Sequence, residues 1–423
     1  MRKHLHISLT LLGLCAVFAA CERTPLDEGA SAPLELSLQL AVRPFGADGG
    51  IVTKGEFEDP VPANIHYDYE KTISSLKLFV FDATDAFEDL DSDGKLDFNP
   101  SRATRIGTET PLTPLHVEDM GADGYRVDFR VEKPYEALAV VAIANMPADV
   151  DASAWATMAD VDSDVYMEYT ASQETYHSNG IPMHGFQIFG SQVGNPSSQE
   201  SSKLKYYKGI STKLPGTLSM QYALVRMQLR YLPAAGQLPA SQVEILSAKL
   251  TGYKSKFRLF PKEWLTGTLV TPFDEMVDGG DFVNGDISFR EVSYEVSATE
   301  TADAWVAYVP EMSAKVLADK MVADPTFKEP CLTAVMKKYE VDENNVKTGV
   351  WTQFTYSADG VTMEYSASPS ATVTYTNPAW TAWLQMRTLY ARKDKAGNDV
   401  AVGTLFNLVR HYSYEWKATG IDK

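Results

Sequence analysis

The chain has 423 residues, and its 38 Lys+Arg stand against 56 Asp+Glu for a formal net charge of −18. A surface so acidic repels nucleic acid and anionic lipid headgroups, which argues against either as a partner. Three cysteines are too few for a dense disulfide framework, and a chain of this length can bury a sufficient core without one.

The amino end reads as a targeting segment. Arg2, Lys3, His4 and His6 form a basic start, and Ile7 to Ala20 is an apolar run without a charge. That run is too short for a permanent membrane helix but suits a signal-peptide core over residues 1–20. Phe18-Ala19-Ala20-Cys21 follows, and small residues before a cysteine resemble the lipobox of bacterial lipoproteins. Cys21 is then the expected lipidation site. Cys15, behind the bulky Leu14, fits worse, and an ordinary secretory signal is the plainer alternative. Loss of residues 1–20 leaves 36 Lys+Arg against 56 Asp+Glu, a net charge of −20, with Cys331 the one unmodified cysteine. No later stretch of sequence is long and apolar enough to span a bilayer, so the lipid is the expected anchor. Residues 21–33, polar with two prolines, read as a flexible tether.

Period-two alternation then begins. Leu34, Leu36, Leu38, Leu40 and Val42 alternate with Glu35, Ser37, Gln39 and Ala41, as in a strand with one buried face. Residues 43–64 are rich in Gly, Pro and Asp and read as a loop. Further strands are expected at Leu76–Phe81, at Tyr125–Val131 with Val127, Phe129 and Val131 on one side, and at Leu138–Ile143. The last is apolar throughout, as in a central strand covered on both faces. Asp151–Asp160, with Trp155 and Ala159 four apart, suggests a short helix begun by an aspartate cap. Residues 192–217 are rich in Ser, Gly and Lys, and a domain boundary is expected there, dividing 55–205 from 206–423. Beyond it, Leu218 to Tyr231 alternates as one strand. Val243–Leu250, Phe257–Phe260, Trp305–Val309, Leu332–Met336, Thr372–Tyr375 and Leu405–Ala418 read as others. The sum is an all-β chain of two tandem sandwiches with a short helix and long loops.

One motif carries metal chemistry. Asp89-Leu90-Asp91-Ser92-Asp93-Gly94-Lys95-Leu96-Asp97 has the DxDxDGxxD spacing that lets carboxylates at alternate positions converge on Ca²⁺, with the Lys95 carbonyl as a further oxygen. It departs from an EF-hand at the twelfth position, where Pro100 replaces the bidentate glutamate. The expected ion is structural, and the alternative is a solvated acidic loop. Catalytic signatures are absent. There is no GxSxG, HExxH, Walker loop or GxGxxG, and His177 and His184 have no carboxylate at ligand spacing between them. Sequence alone selects no glycosidase pair among the many carboxylates.

Six blocks, in order, resemble the bacterial fimbrillin family, the subunits of type V pili. They are Leu76-Lys77-Leu78-Phe79-Val80-Phe81-Asp82, Ala139 to Ala144-Asn145, Ile181-Pro182-Met183-His184-Gly185, Leu224-Val225-Arg226-Met227-Gln228-Leu229, Tyr308-Val309-Pro310-Glu311, and Leu408-Val409-Arg410-His411-Tyr412-Ser413-Tyr414. The resemblance implies two transthyretin-like sandwiches and an outer-membrane lipoprotein precursor with no enzymatic activity. It also implies a first strand that a protease frees, so that a strand of a neighbouring subunit can take its place. Here that strand is 34–42, within a removable segment 34–54. Arg43 and Lys54 are the candidate cleavage positions, and Pro44 hinders the first. The expected partners are other pilus subunits, with a host or bacterial surface ligand where the subunit is adhesive. The short stretch after Tyr414 implies an acceptor-only tip or accessory subunit, with anchor and stalk roles as alternatives. A different function, a surface glycan-binding lipoprotein, would use Trp351, Trp380 and Trp383 as a platform.

Overall fold

The structure is a computed structural model. It describes residues 33–45, 67–88, 96–107, 114–145, 152–162, 166–190, 204–206, 213–261, 282–297, 300–327, 329–357, 360–375, 408, 410, 413–418 and 420–421. Strands dominate, as the alternation predicts. The first half contains β1 (Leu34–Val42), β2 (Leu76–Asp82), β3 (Phe87–Glu88), β4 (Asp97–Phe98), β5 (Thr104–Arg105), β6 (His116–Asp119), β7 (Tyr125–Val131), β8 (Ala137–Ala144), β9 (Tyr166–Glu168), β10 (Met183–Gly190), β11 (Leu204–Tyr206) and β12 (Lys213–Tyr222). Its principal sheet runs β5-β2-β8-β10-β12-β1-β7-β6, with β11 beside β10. The eight apolar residues of β8 are all buried between β2 and β10, which is why that strand needs no alternation.

β12 turns the sheet. Its end, Gln221 and Tyr222, pairs with β10, and its body, Thr217 to Met220, pairs with β1. The two wings enclose one core. Gly185 sits where β10 meets β12, and a Cβ there would lie 2.3 Å from the Ser219 carbonyl oxygen. Only glycine allows that approach.

The second half contains β13 (Val225–Tyr231), β14 (Val243–Lys254), β15 (Lys256–Arg258), β16 (Phe282–Ser288), β17 (Arg290–Ser297), β18 (Glu300–Val309), β19 (Cys331–Val341), β20 (Lys347–Ser357), β21 (Gly360–Tyr365), β22 (Ser368–Tyr375) and β23 (Ser413–Ala418). They form a four-stranded sheet, β17-β18-β13-β23, and a six-stranded sheet, β16-β14-β19-β20-β21-β22. Two α-helices lie among the described residues, α1 (Gln173–Asn179) and α2 (Ala314–Ala323). The halves are joined by β9, which pairs antiparallel with β15, and by Trp155, whose ring is 6.1 Å from that of Phe260.

Three expectations change. Leu218–Tyr231 is two strands in two sheets, broken at Ala223-Leu224, so the changeover between sandwiches falls there rather than at 205/206. The apolar alternation slips phase between Leu224 and Met227, which marks the break. Asp151–Asp160 holds no α-helix among its described residues; a 3-10 helix spans Met158–Asp162 instead. Trp155 is buried against Phe79, which fixes that stretch by packing. Residues 173–179 do form a helix, ended by Gly180 at φ +83.

Candidate functional site: the first-strand groove

β1 lies between β7, antiparallel to it, and β12, parallel to it. Its alternation is expressed as read. Leu36, Leu38 and Leu40 are fully buried in the core, Leu34 and Val42 pack partly buried at its margin, and Glu35, Ser37, Gln39 and Ala41 turn outward. Full burial of each leucine contributes roughly 1.5–3 kcal/mol. The register against β7 is continuous from Leu34 opposite Val131 to Leu40 opposite Tyr125. Against β12 it shifts between Ser37 and Gln39, where Pro215 offers no N–H and Gly216 takes φ +76. Outside the groove the strand is held lightly, by a Glu35–Arg130 ion pair at the surface and a Gln39 side chain donating to the Asp123 carbonyl at 2.9 Å.

The strand does not end at Val42. The Arg43 amide donates to the Met220 carbonyl at 3.2 Å, and Pro44 then directs the chain inward. Phe45 is 1% exposed and stacks on Tyr222 with centroids 3.9 Å apart and an interplanar angle of 8°. The Tyr308 ring is 5.7 Å away, and the Arg226 guanidinium stands 5.1 Å from the Phe45 ring centre.

Behind Phe45 is a buried polar cluster at the junction of the two sandwiches. Arg226, on β13, donates through Nη1 to both carboxylate oxygens of Glu70, each at 3.0 Å. The Tyr308 hydroxyl lies 2.7 Å from Glu70 Oε1 and 2.9 Å from the Tyr69 hydroxyl, and the Tyr222 hydroxyl donates to the Glu70 carbonyl at 3.2 Å. Burial, the largest single influence, disfavours the Arg226 charge, but the Glu70 carboxylate together with the Tyr308 and Tyr67 hydroxyls outweighs it and holds the pKa above the ordinary value. The Tyr308 hydroxyl is pushed well up, by burial first and by Glu70 second. A second buried pair, Glu311 with Arg410, ties the end of the chain to the segment after β18.

The sequence-predicted positions divide. Leu34, Leu36, Leu38, Leu40, Val42 and Arg43 come together in this groove. Cys21, Lys54, Asp89, Asp91, Asp93 and Lys95 lie outside the described residues; Asp97, in β4, pairs in register with Glu88. Among the described residues no cluster of three His, Cys, Asp or Glu is arranged to hold a metal. His184 is buried on β10 and His177 packs on Tyr69, so the two belong to different surroundings. Trp351 carries the Lys337 ammonium 4.3 Å from its ring centre, while Trp380 and Trp383 fall outside the described residues. Sequence reasoning missed Phe45 and Glu70. Phe45 is one of two aromatics, with Phe57, in a Gly/Pro/Asp stretch, and Glu70 meets its partner across 156 positions.

The resemblance blocks coincide with structural joints. Asn145 closes β8 at φ +56, accepting from the Ser74 amide at 2.8 Å and donating to the Thr72 and Ile181 carbonyls at 2.8 and 2.9 Å. Gly185, Arg226, Tyr308, Glu311 and Arg410 have the roles given above.

No family model matches the chain, and no curated protein matches it. Solved structures do. The tip fimbrial protein Mfa3 of Porphyromonas gingivalis, with a C-terminal truncation, is 14% identical with a TM-score of 0.36, covering 93% of this chain and 96% of that one. A fimbrial assembly protein from Parabacteroides distasonis is 13% identical with a TM-score of 0.33, covering 78% of this chain and all of that one. A fimbrilin from Porphyromonas gingivalis is 13% identical with a TM-score of 0.30, covering 75% and 74%. The chain resembles the fimbrillin family in the order of its sequence blocks, and these solved structures to which it is similar are those of fimbrial proteins.

Proposed function

We propose that this chain is a structural subunit of a cell-surface fimbria, exported as a precursor lipidated on Cys21 and assembled by exchange of its first strand. The observation that carries this reading is the position of β1. It is the first described element of the chain, yet it completes the middle of a sheet, between β7 and β12. Its loss exposes two rows of unpaired backbone groups and a channel the width of three leucine side chains. Such an edge is an aggregation liability unless another strand fills it. A strand of a neighbouring subunit with the same alternation satisfies both rows, with backbone hydrogen bonds supplying affinity and side-chain alternation supplying register. The partners are thus other pilus subunits, and the activity is assembly and adhesion rather than catalysis.

The cut falls after Phe45 in this reading. Arg43 is bonded into the sheet and Phe45 is buried, so the Arg43–Pro44 bond cannot enter a protease cleft without unseating both. Lys54 is the candidate that remains. The test is to treat purified precursor with a lysine-specific protease and follow the amino terminus and the assembly state. Release of a segment that ends at Lys54 and carries residues 34–45, followed by ladders resistant to mild denaturant, is expected. A cut chain that stays monomeric at high concentration, with its first strand gone, overturns the proposal.

A further inference from the structure

The socket that holds Phe45 has walls that do not depend on Phe45. Tyr222 comes from the end of β12, Arg226 from β13 and Tyr308 from β18, and each bonds to Glu70. Tyr67 adds a ring 5.5 Å from the Arg226 guanidinium. These contacts tie the socket walls to Glu70 rather than to Phe45. Its shape and chemistry are specific. A flat ring there stacks on Tyr222 and has a guanidinium 5.1 Å from its centre, a combination that an aliphatic side chain cannot use. The socket also continues the groove, since the β1–β12 hydrogen bonding runs on through Arg43, two residues before Phe45.

From this we infer that the Phe45 socket is the specificity subsite of the strand groove, and that the incoming strand must present an aromatic side chain five positions beyond its last buried groove residue, as Phe45 follows Leu40. The inference rests on the strand-exchange reading. In the precursor, Phe45 occupies the subsite and keeps water from the Glu70–Arg226 pair. After release, a strand that fills the leucine channel but lacks the aromatic leaves that pair beside a void.

The test uses the chain from residue 22 onward with a site-specific protease sequence replacing residues 47–53. After cleavage and removal of the first segment, fluorescent peptides of residues 33–45 are titrated in three forms, native, Phe45→Ala and Phe45→Trp, with a Phe45→Leu peptide as a volume control. The native and Phe45→Trp peptides are expected to bind within a few-fold of each other, and the Phe45→Ala peptide on the order of tenfold or more weaker. Equal binding of native and Phe45→Ala peptides overturns the socket while leaving strand exchange standing. Binding by none of the three removes strand exchange and the socket with it. A Phe45→Leu peptide as tight as the native one shows that volume alone is read, which also overturns the aromatic requirement.

Discussion

The guanidinium of Arg410 holds the carboxylate of Glu311 with two donors, Nε to Oε2 at 2.8 Å and Nη2 to Oε1, while Nη1 donates to the Leu259 carbonyl at 3.1 Å. Both side chains are buried, so the pair staples the segment just before β23 to the segment just after β18. Removing one partner leaves a charge without compensation in the interior, at a cost of about 3–5 kcal/mol. Arg410→Met is therefore expected to destabilise the chain by that amount in urea denaturation. The double variant Glu311→Leu/Arg410→Met is expected to recover most of the loss. A double variant as unstable as the single one would show that geometry, not uncompensated charge, sets the cost.

Gly124 bears on β1 directly. Its φ is +87, and a Cβ there would lie 2.2 Å from the Leu40 carbonyl oxygen, a backbone atom with no rotamer to escape into. Gly124→Ala is expected to cost about 1–3 kcal/mol through strain and to spend it on β1. Amide exchange of residues 34–42 should accelerate well before that of β13 or β18. Uniform acceleration across both sandwiches would contradict this placement.

How much was legible follows from where each signal resides. β1 and β7 have one face in the core and one in water, so their alternation states both element and burial. β8 is covered on both sides and is recognisable by its unbroken apolar run. The break at Ala223-Leu224 was written in the phase slip of the alternation but not in composition, so Leu218–Tyr231 read as one strand. Phe45 and Glu70 carry no periodic signal, because the partners that bury them, Tyr222, Arg226 and Tyr308, lie more than a hundred positions away. Arg226, Tyr308, Glu311 and Arg410 stood out through the family blocks alone. Periodicity reports a residue's own element, whereas a buried ion pair is a property of two elements that meet only in the fold.

The acidic run 89–97 joins the short strands β3 and β4, whose Glu88 and Asp97 are paired in register and whose Phe87 and Phe98 rings lie 5.5 Å apart. Its described flanks are thus strands, and a calcium ion held by the run would stiffen a hairpin. Ca²⁺ at a hundredfold excess over its dissociation constant would add about 2.7 kcal/mol of stability. The melting temperature of the native chain is expected to rise with added Ca²⁺, and that of Asp91→Ala/Asp93→Ala to stay constant. Equal responses would assign the run to a solvated loop.

His177 gives the junction a pH dependence of definite sign. Its ring lies 4.2 Å from that of Tyr69, on the face of α1 that meets the Tyr308 cluster, and Arg290 pairs with Glu174 on the same helix. Burial first, and the Arg290 charge second, lower its pKa to about 4, while Glu174 opposes them. In the unfolded chain the value is about 6.5. Between these values the unfolded state binds the extra proton, so acidification through this window favours unfolding, and below about pH 4 the effect levels off. The ring is partly exposed, so the loss is smaller than the full shift implies. His177→Gln removes this term and leaves the carboxylates in place. The fall in melting temperature from pH 7.5 to 4.5 is expected to be shallower in His177→Gln than in the native chain, with the two curves converging above pH 7 apart from a constant offset. Parallel curves across the whole range would mean that His177 keeps its ordinary pKa in the fold, and that the junction admits water at α1.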